Sequence, residues 1–219
     1  MNQLFVKICG MTRPQDAELA ASLGASALGL VFWPRSPRSV SVATAKAIAA
    51  SVPANVLKVG VFVDQPAADV ARIMDEAGLD VAQLHGHESV EYCRQLMSHF
   101  NGDADLLPAS ATKRSIFKAV APENGSVNID QVDPEIILLV DAHDPERFGG
   151  TGKTVNWDSA REIAATRRTI LAGGLNAANI KLAVRTVRPY GVDVSSGVES
   201  APGIKDPIRL RSFFEALHD

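Results

Sequence analysis

The chain has 219 residues, with 25 acidic and 22 basic side chains, a formal net charge of -3 and 46% hydrophobic residues. A chain of this length can bury a full hydrophobic core without disulfides or a structural metal. Two cysteines, Cys9 and Cys93, are too few for a secreted disulfide framework and are typical of a cytoplasmic protein. The near-balanced charge offers no basic surface for nucleic acid. Lys7 interrupts the apolar stretch near the N-terminus, so we expect neither a signal peptide nor a membrane span.

Short apolar runs alternate with longer amphipathic segments along the whole chain, which is the pattern of a parallel sheet covered by helices. Eight such units would use about 27 residues each, enough for short connections. The predicted strands are rich in leucine and β-branched residues: Leu4–Cys9, Ala27–Phe32, Leu57–Val63, Val81–His85, Ile116–Val120, Ile136–Asp141, Thr169–Ala172 and Val192–Ser195. The predicted helices are amphipathic: Gln15–Leu23, Ala43–Ser51, Ala67–Ala77, Ser89–Phe100, Ser159–Thr166, Ala177–Val187 and Pro207–Leu217, and Glu123–Val132 is predicted as a short helix or a loop. Thr12 with Gln15 resembles a capping box, and Asn176 and Asp206 are predicted N-caps of the helices that follow them. We therefore predict an α/β fold, a (βα)8 TIM barrel, formed by residues 1–219 as a single domain.

Two polar residues close apolar strands, at the end of the barrel where active sites form. Cys9 ends the first strand and Asp141 ends the sixth. A buried free cysteine is most often a small hydrophobe, and an aspartate after a strand often caps a loop. Their joint placement makes a base and acid pair an alternative worth testing. Lys7 shares a face with Cys9, and its inward ammonium needs a carboxylate such as Asp193, so its field would favour a thiolate.

Two glycine-rich loops follow the seventh and eighth predicted strands. The first contains Gly173 and Gly174, and the second contains Ser195, Ser196 and Gly197. Barrels of this kind bind phosphate in these two loops, through exposed backbone N–H groups and a helix N-terminus. Either cluster alone would be a routine turn, but the two together favour a phosphate site.

The segment 149–154, Gly-Gly-Thr-Gly-Lys-Thr, resembles a nucleotide-binding loop but fails the Walker pattern. That motif needs a glycine five residues before Gly152, where this chain has Arg147. We interpret residues 148–154 as a flexible loop that closes over a ligand near Asp141.

The loop after the second strand is stiffened by Pro34 and Pro37 and carries Arg35 and Arg38. Surface arginines are usually only solvated, but an arginine held at an active face suits a substrate carboxylate. His85 and His87 form an H-x-H pair without an evident further ligand, so we expect no metal. His85 is predicted to reach the barrel mouth as a polar contact, and His87 to lie in a loop.

These motifs together resemble the phosphoribosylanthranilate isomerase family of tryptophan biosynthesis over nearly the whole chain. Each motif is short, but their order and spacing are highly specific. They are Lys7-Ile8-Cys9-Gly10-Met11-Thr12, Gly29-Leu30-Val31-Phe32, Ser36-Pro37-Arg38, Val59-Gly60-Val61-Phe62-Val63, Gln83-Leu84-His85-Gly86, the loop 148–154, Ala172-Gly173-Gly174-Leu175 and Val192-Asp193-Val194-Ser195-Ser196-Gly197-Val198-Glu199.

The resemblance implies an Amadori rearrangement of N-(5-phosphoribosyl)anthranilate without cofactor or metal. The family's general base falls on Cys9, its general acid on Asp141, and its anthranilate-binding arginine on Arg38 rather than Arg35. Its phosphate loops fall on the two glycine clusters, and we add His85 and Asp193 as substrate contacts. The polar stretch Asn101–Arg114 is longer than the short connection expected of the family and is interpreted as a surface insertion.

Three alternatives remain on sequence alone. A histidine-pathway isomerase would place an aspartate at the position of Cys9, and a pentose-phosphate epimerase would need metal ligands. A non-catalytic module that binds a phosphorylated ligand would keep the glycine clusters and have no use for the pair Cys9 and Asp141. The expected partner is a phosphorylated small molecule, and the chain is expected to be a monomer or a homodimer.

Overall fold

The computed structural model describes residues 4–101, 114–120, 129–141 and 157–218. Within them, eight parallel strands close into a barrel and pair in chain order, which confirms the predicted (βα)8 barrel. The strands are Phe5–Ile8 (β1), Ala27–Val31 (β2), Leu57–Phe62 (β3), Val81–Leu84 (β4), Ser115–Val120 (β5), Ile137–Val140 (β6), Thr169–Leu171 (β7) and Gly191–Val194 (β8).

The helices of the described residues surround this barrel. They are Pro14–Ser22 (α1), Val42–Ala50 (α2), Ala67–Ala77 (α3), Val90–Asn101 (α4), Trp157–Thr166 (α5), Ile180–Val187 (α6) and Pro207–His218 (α7). In the predicted segment 123–132, a 3-10 turn covers Ile129–Gln131, and residues 123–128 lie outside the described residues. Most of the polar stretch 101–114 and all of the loop 148–154 also lie outside them. No described helix combines the length and the apolar character that crossing a bilayer requires.

Alternating side chains of the strands fill the barrel and cover its outer surface. The interior cluster includes Val59, Val81, Phe117 and Leu139, all at most 2% exposed. Burying side chains of this size contributes roughly 1.5–3 kcal/mol each. The neighbouring residue Lys118 faces the opposite side of β5, as the period of two requires. Because of the same alternation, the side chains of residues at the strand ends point toward the barrel mouth.

Two helix starts differ in how the backbone is capped. Asp206 caps α7 as expected, since its carboxylate accepts hydrogen bonds from Ile208 and Arg209 N–H. A capping box formed by Thr12 and Gln15, which the sequence suggests for α1, is wrong. The Thr12 hydroxyl instead donates to the carbonyl of Gly203, 191 residues away. A long-range contact therefore replaces the local one.

A short hairpin follows β8 and has no counterpart among the predicted strands. After a 3-10 turn at Ser196–Val198, strands Glu199–Ala201 (β9) and Ile204–Lys205 (β10) pair antiparallel. The hairpin lies between the loop that follows β8 and the start of α7. It therefore brings two charged residues, Glu199 and Lys205, next to the barrel mouth.

Candidate active site

A cavity of about 380 Å³ opens at the carboxyl ends of the strands. This size suits a small ligand, and the position is where barrels of this type place their active sites. Its polar wall includes residues from β1, β4, β6 and β8 or just beyond them: Cys9, Gln83, His85, Asp141, Asp193 and Ser195. Five of these six were predicted as site residues from the sequence. Gln83 is the exception, because the sequence analysis did not assign it to the site.

Lys7 and Asp193 form a buried ion pair directly beneath Cys9. The register of β1 and β8 places the two residues opposite each other, and Lys7 Nζ lies 2.9 Å from Asp193 Oδ1. Lys7 is fully buried, so an unpaired ammonium here would be costly. Burial opposes its charge, but Asp193 and Cys9 outweigh burial and raise the pKa of Lys7. The expected pairing is confirmed, and Lys7 carries a fixed positive charge below the thiol.

The environment of the Cys9 thiol has opposing effects on its pKa. Burial favours the neutral thiol, whereas Lys7 and, further away, Lys205 favour the thiolate. Asp193 adds to the effect of burial, and the net result is a raised pKa for Cys9. Most of the thiol is therefore protonated at neutral pH in the free protein.

Gly29 on β2 leaves the space that the thiol and the ammonium occupy. A Cβ at this position would lie 2.7 Å from Cys9 Sγ and 3.0 Å from Lys7 Nζ. These separations are shorter than van der Waals contact, so any side chain would displace one of the two groups. An inward glycine opposite a strand-end cysteine is the sequence signal that could have identified this role.

His85 links β4 to the carboxylate at the end of β6. Its Nδ1 lies 2.9 Å from Gln83 Nε2, and its Nε2 lies 3.4 Å from Asp141 Oδ2. An amide nitrogen can only donate, so Nδ1 accepts and the ring proton of neutral His85 is on Nε2, toward Asp141. Gln83 Oε1 is buried in the same wall and has no hydrogen-bond partner among the described residues. That oxygen is available to accept a hydrogen bond from a ligand hydroxyl.

The two glycine clusters lie against each other above β7 and β8. Gly173 and Gly174 have φ angles of 90° and 64°, a conformation that side chains strain. Ser196–Val198 forms a 3-10 turn, whose first N–H groups have no partner within the turn. A Cβ at Gly197 would collide with the carbonyl oxygen of Leu175. Close packing of the two loops therefore depends on Gly197, and the adjacent N–H groups can bind an anion.

Arg38 lies beside the cavity and is held by Glu199. Its Nε and Nη2 donate to the carboxylate, the shortest distance being 2.6 Å from Nη2 to Oε2. This hydrogen bond raises the pKa of Arg38. Arg35, which is exposed, belongs to the described cavity wall, whereas Arg38 does not. Arg38 Nη1 has no role in the pair and can meet a ligand carboxylate.

Further charged groups complete the surroundings of the site. Lys205 and Glu199 form a buried ion pair at 2.8 Å between Nζ and Oε1. Their sequence signal is weak, because each is a single charged residue in a segment without periodicity. His87 is an exposed loop residue paired with Asp64, as its interpretation as a loop residue requires. Among the described residues, no group of three or more histidine, cysteine or acidic side chains could hold a metal ion.

These features together define a (βα)8-barrel enzyme class in which a thiol and a carboxylate line one cavity at the carboxyl ends of the strands. The sequence profile of N-(5'phosphoribosyl)anthranilate (PRA) isomerase matches residues 6–216. The chain belongs to this family.

Relatives and solved structures agree with this assignment. The N-(5'-phosphoribosyl)anthranilate isomerase of Pelobacter propionicus is 43% identical over 209 residues, which cover 95% of this chain and 92% of that protein. The crystal structure of phosphoribosyl anthranilate isomerase from Thermus thermophilus superimposes with a TM-score of 0.82, at 40% identity and 98% coverage of both chains. A further phosphoribosyl anthranilate isomerase structure, in complex with reduced 1-(o-carboxyphenylamino)-1-deoxyribulose 5-phosphate, has a TM-score of 0.78, at 32% identity and 99% coverage of both chains.

Proposed function

We propose that the protein is the phosphoribosylanthranilate isomerase of tryptophan biosynthesis. It converts N-(5-phosphoribosyl)anthranilate into 1-(2-carboxyphenylamino)-1-deoxyribulose 5-phosphate. One observation carries the proposal: Cys9, which follows β1, and Asp141, which follows β6, line the same cavity at the barrel mouth. Free thiols at Cys9 and Cys93 support a cytoplasmic location for this activity.

Asp141 is the general acid in this proposal and Cys9 the general base. Asp141 protonates the furanose ring oxygen, the bond between C1 and that oxygen breaks, and the nitrogen lone pair forms a protonated Schiff base at C1. Cys9, as thiolate, then removes the proton from C2, and the C–H electron pair forms the C1–C2 double bond of an enolamine. Loss of the proton from the C2 hydroxyl and protonation of C1 give the ketone.

His85 supports the acid role of Asp141 through the position of its ring proton. His85 Nε2 lies 3.4 Å from Asp141 Oδ2, so the other carboxylate oxygen, Oδ1, is the one that carries the transferred proton in this proposal. The Gln83 amide donates to Nδ1 and holds the ring in the orientation in which Nε2 is directed at Asp141.

The phosphate group is assigned to the loops after β7 and β8. The backbone carbonyl of Gly174 accepts hydrogen bonds from the side-chain amides of Asn176 and Asn179. These bonds fix the orientation of the peptide group that follows Gly174. Ser195 borders the cavity, so the turn that follows it begins at the cavity edge. Backbone N–H groups in these two loops then neutralise the phosphate without a lysine.

Gly197→Ala is expected to weaken phosphate binding, because its methyl group forces the two loops apart at Leu175. The KM for substrate and the Ki for inorganic phosphate should both rise about tenfold, with a smaller change in kcat. Gly24→Ala is the matched control, since Gly24 has φ +101° but nothing within 4 Å of an added Cβ. It should lower stability and leave Ki unchanged. An unchanged Ki in Gly197→Ala would contradict this phosphate site.

Arg38→Met is expected to raise KM by about 10- to 100-fold with kcat nearly unchanged, since one charge-assisted hydrogen bond to the anthranilate carboxylate is lost. Glu199 already orients Arg38, so little side-chain entropy is lost on binding. Arg35→Met removes an exposed and flexible guanidinium and should raise KM less. Steady-state kinetics of both variants compare the two arginines, and a larger effect at Arg35 would reverse the assignment.

The fluorescence of N-(5-phosphoribosyl)anthranilate during its consumption tests the proposed function. The wild-type protein should consume it, and Cys9→Ser should not. Consumption of a histidine-pathway substrate alone would indicate the related isomerase instead. Binding of the reduced product analogue without turnover in the wild type would indicate a non-catalytic module.

A further inference from the structure

Lys205 is a buried lysine that the proposed reaction does not use. It is 1% exposed and comes from β10, after the last strand of the barrel. Its Nζ donates to the carbonyl oxygen of Cys9 at 2.5 Å, to that of Ser195 at 3.3 Å and to Glu199 Oε1 at 2.8 Å. An ammonium has three N–H groups, so these three acceptors satisfy it completely.

The two carbonyls lie just beyond the end of the ladder between β1 and β8. The last backbone hydrogen bond there runs from Cys9 N–H to the carbonyl of Val194, at 2.8 Å. Past this point, the ammonium of Lys205 joins the two strand ends. The residue that carries the thiol and the first residue of the second phosphate loop are thus tied to one charged group.

Glu199 extends the same network to Arg38. Its carboxylate accepts from Lys205, from Arg38 and from Gly203 N–H at 3.2 Å. Burial alone would raise the pKa of Glu199, but Arg38 and Lys205 outweigh burial and lower it. Glu199 is therefore a carboxylate at neutral pH.

The hairpin that carries both residues is anchored on the barrel from other sides. Asp16 on α1 accepts from Lys205 N–H at 3.0 Å, and Asp16 is itself paired with Arg13. The Arg209 guanidinium of α7 donates to the carbonyl of Glu199. The positions of Glu199 and Lys205 thus follow from contacts to two helices.

The geometry points to Lys205 and Glu199 as positioning residues for the reaction, which set the thiol, the second phosphate loop and Arg38 in one relative arrangement. The inference rests on the proposed function, because it assigns Cys9, the loop and Arg38 to one substrate. A buried ion pair is weak evidence for stability, since apolar residues of similar size often stabilise as well or better. Five hydrogen bonds join the pair to Cys9, Ser195 and Arg38, and contacts to three parts of one site favour a role in geometry.

The charges around Cys9 provide a measurement of the positioning role of Lys205. A loss of stability alone would not change the pH dependence of Cys9 alkylation. Lys7, Lys205 and Arg38 face the thiol as cations, and Asp193 faces it as an anion. Burial lowers the pKa of Lys205, and Glu199 opposes this. Removing Lys205 therefore removes a cation that favours the thiolate and should shift alkylation of Cys9 to higher pH.

The test combines alkylation of Cys9 by iodoacetamide, followed as a function of pH on the Cys9 peptide, with steady-state kinetics. Lys205→Met should lower the alkylation rate at neutral pH by about fivefold and raise KM by about tenfold. Glu199→Gln should raise KM by about tenfold and change kcat less than about threefold, because Arg38 loses its anchor.

Lys118→Met is the matched control. Lys118 forms a pair with Glu88 at 2.8 Å, both side chains are 1% exposed, and β5 lies opposite β1 in the closed barrel. Lys118→Met should lower Tm, as Lys205→Met should, but the pH dependence of Cys9 alkylation should remain as in the wild type.

A folded Lys205→Met variant with the wild-type alkylation profile and KM would overturn the inference. If Lys205→Met does not fold, Glu199→Gln decides, and a wild-type KM in that variant would overturn it as well. The alkylation assay requires no turnover. It therefore separates a failure of this inference from a failure of the proposed function, in which the wild type itself would not consume N-(5-phosphoribosyl)anthranilate.

Discussion

Replacing Cys9 with alanine is expected to lower kcat by about three orders of magnitude and to change KM less than about threefold. In the proposed mechanism, the thiolate removes the proton from C2, and alanine has no group that can do so. The proposed binding groups, which are the two glycine loops and Arg38, remain in place, so substrate affinity should be retained. Steady-state kinetics of the purified variant measure both constants.

Two further variants separate the chemistry of Cys9 from its packing. Cys9→Ser has nearly the same shape, but a hydroxyl is a much weaker acid than a thiol, so kcat should fall almost as far. Cys93→Ala is the matched control, because Cys93 is also buried but lies in α4 within the outer hydrophobic cluster. It should retain kcat within about twofold at a modest cost in stability. A Cys9→Ala variant with more than a tenth of wild-type kcat would exclude the thiol as the base.

The barrel strands could be predicted from the sequence because each is buried on both faces. Such strands appear as continuous apolar runs, and their predicted bounds differ from the observed ones by at most one residue at each end. The hairpin Glu199–Lys205 could not be predicted in this way. Strands of two and three residues are too short to show a period.

The predicted start of α6 is wrong by three residues, although the asparagine that predicted it does form local hydrogen bonds. Asn176 was expected to cap a helix that begins at Ala177, but the helix begins at Ile180. The Asn176 side chain accepts from Ala178 N–H, and its carbonyl accepts from Asn179 and Ile180. The asparagine forms a turn of its own, and the helix starts after it.

Some residues of the candidate site could be predicted from the local sequence, and others depend on contacts between distant parts of the chain. Cys9, His85 and Asp141 could be identified because each follows an apolar strand, and parallel strands end at the same edge of a barrel. The contact of Lys205 with Cys9 joins residues 196 positions apart. No periodicity relates such residues, and only the closure of β8 onto β1 brings them together.

Asp141→Asn is expected to lower kcat by at least about 100-fold, because asparagine cannot deliver a proton to the ring oxygen. The amide keeps the shape of the carboxylate and can still contact His85, so KM should change little. Asp80→Asn is the matched control at the opposite end of the barrel. Asp80 pairs with Lys58 at 3.0 Å, and its loss should lower stability and leave kcat unchanged.

The pH dependence of kcat/KM distinguishes the acid role of Asp141 from a purely structural one. In the proposed mechanism, the active form holds one proton on the pair, on Asp141, while Cys9 is a thiolate. Activity therefore falls at low pH, where both groups are protonated, and at high pH, where both are deprotonated. Burial raises the pKa of Cys9, so the alkaline limb should lie above the ordinary thiol value of roughly 8.5. Asparagine does not titrate, so the profile of Asp141→Asn should no longer be bell-shaped. If the variant keeps the bell shape together with more than a tenth of wild-type kcat, another group protonates the substrate.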